Sequence, residues 1–241
     1  MTKLRERVIP LSSPLYPMPP YHYDNARLFL ALFYAPEESL RSVLPPPLRP
    51  SDMNLMALLF AEQPCRETGT FRESSVLAQC LFKDPESDEE RVGVHFCRDY
   101  VDSDVALAAG REIWGFPRKM ARTEMEWDGD TLRARTIRND AVIMSATCTF
   151  TDSGEWIDSG PAVNVKIMPS VTGEGNDIDV ITIADLEYRI KSGRSGDVQV
   201  TIQGCPDDDM SMIHVESTMI GLYFDTDILV PPGRVIGRTL G

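Results

Sequence analysis

The chain has 241 residues, 42% of them hydrophobic and 25% charged, with a formal net charge of −13. That length allows one large domain or two small ones, with a core that buries most of the apolar surface. The acidic balance speaks against nucleic acid, whose binding depends on clustered Lys and Arg neutralising phosphates, and no stretch approaches the ~18 apolar residues of a membrane span.

At the N-terminus, Lys3, Arg5, Glu6 and Arg7 precede a proline-rich run without an apolar h-region, so no secretory signal is expected and the protein reads as cytoplasmic. Pro10, Pro14, Pro17, Pro19 and Pro20 fall within residues 8–21 and predict an extended segment. Residues 1–24 are accordingly read as an arm packing on the body. Arg27–Ala35 reads as a strand. Pro36-Glu37-Glu38 opens a short helix, since proline fits the first turn and acids suit its positive end. That helix must stop before Pro45-Pro46-Pro47. Met53–Glu62, Phe71–Lys83 and Glu90–Arg98 read as strands, the last two separated by the acidic run Asp84–Glu90. Asp102-Ser103-Asp104 can cap a brief helix over Val105–Ala109, with Gly110 at its C-terminal end. Leu132–Arg138 and Ala141–Thr151 flank a hairpin turn at Asn139-Asp140. Val163–Met168, Ile178–Ile190, Asp197–Gln203 and His214–Phe224 complete a count of about ten strands with two or three short helices. One α+β domain spanning residues 1–241, predominantly antiparallel β and barrel-like, fits this order.

Composition limits the chemistry further. Cys65, Cys80, Cys97, Cys148 and Cys205 are odd in number and widely spaced, with no C-x-x-C pair, which points to free thiols in a reducing compartment and away from structural zinc. The acidic runs Asp84–Glu90 and Asp207–Asp209 lack the ligand spacing of a calcium loop and read as solvated loops. His22, His95 and His214 show neither triad nor metal spacing. No metal and no cofactor is expected.

The most informative stretch is Gly110-Arg111-Glu112-Ile113-Trp114-Gly115-Phe116-Pro117-Arg118-Lys119-Met120. It resembles the signature of the acetoacetate decarboxylase family, G-R-E-(I/V/L)-x-x-(F/Y)-P-K-K-(L/M). Further segments resemble that family in order and spacing. They are Pro10–Pro14 and Pro20–Asn25 at the start, Leu40–Leu48 at the exit of the first helix, and Gly69-Thr70-Phe71-Arg72-Glu73. Asn164–Pro169 and Asp227–Ile236 follow. The resemblance implies the family's antiparallel barrel-type fold, a homo-oligomer, and a lyase acting on a small keto acid or related carbonyl compound. It implies that Glu73 lies at the active site. It also implies imine chemistry at the first lysine after the proline.

An imine makes physical demands. Loss of carbon dioxide from a β-keto acid leaves an electron pair that needs a sink, and an iminium supplies one. With a reference pKa of ~10.4, only about 0.04% of a lysine is neutral at pH 7, and lowering its pKa to near 7 needs about 4–5 kcal/mol. An apolar pocket and a neighbouring cation both contribute, and this family is itself the standard example of an amine activated in that way.

Here the signature carries Arg118 where the family carries that lysine, and Lys119 one place later. Two readings stay open. Lys119 forms the imine beside a permanently charged Arg118, which the scarcity of lysine favours, five against 19 arginines. Alternatively, an extended Pro117–Arg122 alternates its side chains, so Arg118 enters the pocket and Lys119 faces away. Lys119 is carried as the expected nucleophile, with Arg118 and Glu73 as catalytic partners. Arg111, Trp114, Phe116 and Tyr223 are the expected substrate contacts, Trp114 and Phe116 as apolar wall and Tyr223 as a proton donor. Arg111 and Glu112 can also pair with each other, and Lys166 is a further amine. The family's arginine after the opening asparagine is Ala26 here, with Arg27 next. Its first pocket glutamate falls near Ala57, with Glu62 nearby. These departures imply a bulkier or less carboxylate-dependent substrate. The contrasting readings are an enzyme that uses Arg118 and Glu73 without an imine, and a small-molecule binding protein that has lost the nucleophile.

Overall fold

A computed structural model describes residues 8–239 apart from Ser87. Residues 1–7 of the expected arm therefore lie outside the described residues. Residues 8–20 run without helix or strand over the body, held by buried Tyr16, whose hydroxyl donates to Glu112, and by the Tyr21 hydroxyl, which donates to the Pro17 carbonyl. The arm ends at residue 20, because Tyr21–Asn25 already belong to the first strand.

The elements in chain order begin with β1 (Tyr21–Tyr34), α1 (Glu37–Val43), β2 (Arg49–Pro50), β3 (Leu55–Cys65), β4 (Gly69–Lys83) and β5 (Glu90–Val101). Next come α2 (Asp104–Ala109), a π-helical turn (Gly110–Trp114), β6 (Arg118–Met120), β7 (Arg122–Asp128), β8 (Thr131–Arg138) and β9 (Ala141–Ser153). The chain closes with β10 (Ala162–Pro169), β11 (Asn176–Ala184), β12 (Glu187–Ile202), β13 (Ser217–Val230) and β14 (Arg234–Gly237). Among the described residues all 14 strands belong to one sheet, in the order β14-β11-β10-β5-β4-β3-β1-β13-β12-β9-β8-β7, with β2 on β4 and β6 on β5. Pairing is antiparallel except at β5–β10 and β5–β6. Edge strands β14 and β7 do not pair with each other, so the sheet is barrel-like but not a closed barrel.

The expected strands are present but longer, because cross-strand hydrogen bonds extend them beyond their apolar stretches. Ile178–Ile190 is two strands, β11 and β12, which turn at Asp185-Leu186 without glycine or proline to mark the break. The hairpin at Asn139-Asp140 is confirmed by positive φ at both residues, 49° and 61°. α1 begins with Glu37 and Glu38 and has Glu37 paired to Arg41 one turn on. α2 is capped by the Ser103 hydroxyl, which accepts from the Ala106 N–H. Gly110 does not end the helix there. It keeps helical angles and leads into the π turn, and the left-handed residue is Gly115 at φ 78°. A side chain on Gly115 would meet the backbone of Lys166, so glycine is required both for the angle and for the approach.

Alternation gives the sheet two apolar faces. Phe29, Phe33, Met56, Leu58, Phe60, Leu132, Met144 and Phe150 pack on one. Tyr21, Leu28, Leu32, Leu59, Trp114, Phe116 and Phe224 pack on the other. The acidic runs are not simply solvated. Asp84 is buried and accepts from Arg91 and Arg234, which ties β14 to the sheet and holds the carboxyl well below the usual range. Asp208 is buried too, and it accepts from Tyr100. All five cysteines are free. Among the described residues, no helix is long and apolar enough to cross a membrane.

Candidate active site

The second of these faces encloses a cavity of about 170 Å³. Its walls follow from strand alternation. β1 contributes Leu28, Leu30 and Leu32, β3 contributes Leu55, Ala57 and Leu59, and β13 contributes Leu222 and Phe224. The loop between β9 and β10 adds Trp156, whose ring lies 4.3 Å from that of Tyr188 and 5.2 Å from that of Phe224. Two bulges set the polar end. One in β1, between Tyr23 and Ala26, lets Tyr23 face the cavity along with the leucines. The other, in β5 between Phe96 and Arg98, leaves Cys97 unpaired and brings Asp99 to the same face as Phe96.

Arg118 occupies the centre of that polar end. It is the first residue of β6, opposite Asp99 of β5, and it is 7% exposed. Its Nε donates to Asp99 at 3.1 Å, Nη2 to Glu73 at 3.1 Å and Nη1 to the Ala106 carbonyl at 2.6 Å. Phe71 and Phe116 lie 5.5 and 5.2 Å from the guanidinium carbon. Gly110 provides the room. A Cβ there would lie 2.5 Å from Arg118 Cδ.

One guanidinium balances one of two buried carboxylates. Asp99 accepts from both Arg118 and the Ser75 hydroxyl, whereas Glu73 faces the apolar cavity. Burial first, and the neighbouring Asp99 second, push Glu73 up to about 8, against the pull of Arg118. Burial also raises Asp99. The two acids share the neutralising charge, so the pair holds a proton more readily than free carboxyls do. Burial likewise holds the Tyr23 hydroxyl well above its ordinary value, hence protonated.

Of the residues singled out from sequence, Arg118, Glu73, Trp114 and Phe116 line the cavity. Trp114 is fixed by its indole N–H on the Pro231 carbonyl. Lys119, Arg111 and Tyr223 do not line it. Extended geometry at β6 turns Lys119 to the opposite face, where its amine donates to Asp208 at 2.8 Å. The expectation of an amine from Lys119 in the pocket is thus corrected by plain alternation. Among the described residues, no lysine lines the cavity. Lys166 directs its amine to the Ile113 carbonyl instead. Arg111 is exposed and donates to the Arg118 carbonyl, while Glu112 takes its bond from Tyr16, so the two do not pair. Tyr223 packs on the other face against Trp127, because its neighbours Leu222 and Phe224 take the inward positions. Ala57 does line the cavity, and Glu62 faces Arg27 outside it. Asp99, Tyr23 and Gln63 are site residues that the sequence reading missed. No group of three or more His, Cys, Asp or Glu is placed to hold a metal among the described residues.

If Lys119 serves only its own face, Lys119→Met should leave cavity binding unchanged within about twofold, since consecutive side chains of a strand point to opposite faces. Quenching of Trp114 and Trp156 fluorescence by a bound ketone would measure this. A large loss of binding would return Lys119 to the site.

Comparison with known proteins agrees with this architecture. The acetoacetate decarboxylase (ADC) family profile matches residues 9–240. Acetoacetate decarboxylase 1 of Bradyrhizobium diazoefficiens is 24% identical over 234 residues, covering 94% of this chain and 91% of that protein. Acetoacetate decarboxylase of Clostridium acetobutylicum is 23% identical over 233 residues, covering 94% and 93%. A solved acetoacetate decarboxylase superposes with a TM-score of 0.87 at 22% identity over 100% of both chains. The enduracididine biosynthesis enzyme MppR was solved with the condensation product of pyruvate and imidazole 4-carboxaldehyde. It superposes with a TM-score of 0.83 at 15% identity, covering 95% of each chain. With the profile spanning nearly every residue and the same fold beneath it, this chain belongs to the acetoacetate decarboxylase family.

Proposed function

We propose that the protein is a carbon–carbon lyase for a largely apolar carbonyl compound, and that it works by proton transfer from Glu73 without an imine. The observation that carries this reading is the presence of Arg118, hydrogen-bonded to Glu73, at the cavity position where the family signature has its lysine. A guanidinium stays protonated and forms no imine at ordinary pH. It can instead tune an acid. A carboxyl held near 8 is protonated at neutral pH, yet it releases its proton readily, which is the balance a general acid needs.

For a β-keto acid the steps run as follows. The bond between the α-carbon and the carboxylate breaks, and its electron pair moves toward the ketone. Glu73 gives its proton to the ketone oxygen, so carbon dioxide leaves and an enol remains. The Glu73 carboxylate formed in that step lies 3.1 Å from Arg118 Nη2, where the fixed cation stabilises it. The enol then takes a proton on carbon from water and returns its hydroxyl proton to Glu73, giving the ketone. The apolar walls exclude water from the substrate carboxylate, which favours a product without charge. A retro-aldol cleavage leaves the same enol and calls on the same acid, with the β-hydroxyl proton passing to water as the aldehyde forms.

Borohydride trapping separates this reading from the imine route. Wild-type protein is expected to release carbon dioxide or cleave carbonyl substrates from a panel of 3-keto acids and hydroxy ketones, and to show no reduced adduct by mass mapping. Arg118→Lys should gain an adduct at residue 118. An adduct on any lysine of the wild-type chain, formed at the rate of turnover, would overturn the proposal.

A further inference from the structure

One polar group of the cavity has no role in the steps above. β3 alternates Leu55, Ala57, Leu59, Ala61 and Gln63 toward one face, so an amide stands at the end of an apolar row. Gln63 is 7% exposed and lines the cavity. Gln63 is the diagonal cross-strand neighbour of Glu73 on β4, and its Oε1 is buried and has no hydrogen-bond partner among the described residues. The other lining glutamine contrasts with it, since Gln79 Oε1 accepts from the Ser51 hydroxyl at 2.6 Å. An unsatisfied buried acceptor is costly, and such groups are rare enough in folded proteins to need a specific reason.

We propose that Gln63 Oε1 is the acceptor for a hydrogen-bond donor on the substrate, and that the substrate is an α- or β-hydroxy carbonyl compound with an apolar body. The β3–β4 register fixes the relation between the groups. Glu73, the acid that addresses the substrate carbonyl, stands opposite Ala61, one diagonal step from the Gln63 amide. A hydroxyl that reaches Oε1 therefore lies within one or two bonds of the carbonyl that Glu73 addresses. The apolar row of β3 and the leucines of β1 receive the rest of the molecule. This assignment rests on Glu73 acting at the carbonyl, as proposed above. A site of this kind discriminates strongly, because an analogue lacking the hydroxyl leaves the buried acceptor unpaired.

Matched ligands test it. Binding of 2-nonanone, 3-hydroxy-2-nonanone and 4-hydroxy-2-nonanone is followed by tryptophan quenching and by calorimetry, under conditions without turnover. At least one hydroxy ketone is expected to bind wild-type protein about tenfold or more tightly than 2-nonanone. In Gln63→Met, which keeps the bulk and removes the acceptor, that ratio should fall to near unity while 2-nonanone still binds. Thermal melting checks that the variant is folded, and Gln63→Leu serves as the second variant if it is not. A ratio near unity in the wild type, or a ratio that survives in a folded Gln63 variant, overturns the assignment. The two proposals fail differently. Hydroxyl preference without any cleavage or decarboxylation removes the lyase reading and keeps the recognition site, and turnover without hydroxyl preference does the reverse.

Discussion

Replacement of Arg118 by methionine should abolish turnover and destabilise the fold by about 3–5 kcal/mol at pH 7.5, the usual result of removing one partner from a buried ion network. Among the described residues, the cation is the only charge paired with Glu73 and Asp99. Without it, Asp99 loses two stabilising influences, the attraction and the Nε hydrogen bond, and its folded pKa climbs further above its unfolded value. A carboxyl shifted upward binds its proton more tightly in the folded than in the unfolded chain. Its contribution to stability is therefore fully present below the unfolded pKa and is lost as pH rises toward the folded one. The deficit of Arg118→Met relative to wild type should be larger at pH 7.5 than at pH 5. Urea unfolding at the two pH values measures it, and equal deficits would mean that Arg118 does not serve to neutralise these acids.

Glu73→Gln should have the opposite balance, with at least about tenfold lower turnover, as for loss of a proton donor, and no loss of stability at neutral pH. Glutamine mimics the protonated acid in shape and can still accept from Arg118 Nη2. In the wild type, Glu73 stands at about 8 against an ordinary value of 4.5. Between those values the unfolded chain ionises and the folded chain does not, so wild-type stability falls with a slope of up to about 1.4 kcal/mol per pH unit. The glutamine variant lacks that slope. Its stability relative to wild type should rise steadily from pH 4.5 to 8 and then level off. Parallel stability curves would show that Glu73 is ionised at neutral pH, and undiminished turnover would remove it from the reaction.

Much of this was legible in the sequence. The strands of both faces announced themselves by alternation, and the signature marked the segment that carries Arg118, Trp114 and Phe116 to the cavity. The division between Arg118 and Lys119 was also present, as a rule of extended chain, but it competed with the chemical demand for an amine and lost. Other features left no mark. Cys97 is an extra residue in β5, and only the resulting bulge turns Asp99 inward, so strict counting from Phe96 sends Asp99 to the wrong face. The break between β11 and β12 has no glycine or proline to announce it. The burial of Asp84 and Asp208 depends on arginines and a tyrosine distant in sequence, and a run of acids is ordinarily a solvated loop. Gln63 was the missed opportunity. A glutamine on the inward register of an otherwise apolar strand stands in the sequence in plain view.

The arrangement at Arg118 also bears on how the protein withstands its own substrates. Aldehydes and ketones poison enzymes whose pockets hold an activated amine, because dead-end imines and cross-links form wherever a neutral lysine waits. Here the cavity presents an incoming electrophile with a guanidinium flanked by two phenylalanine rings and held by three hydrogen bonds. The lysine next to it in sequence lies on the far side of the sheet, half-buried and paired to a carboxylate. If the reaction runs without an imine, as proposed, the cavity also lacks the group most easily fouled by reactive carbonyl by-products, and the wild-type protein should tolerate aldehyde concentrations that inactivate its Arg118→Lys variant.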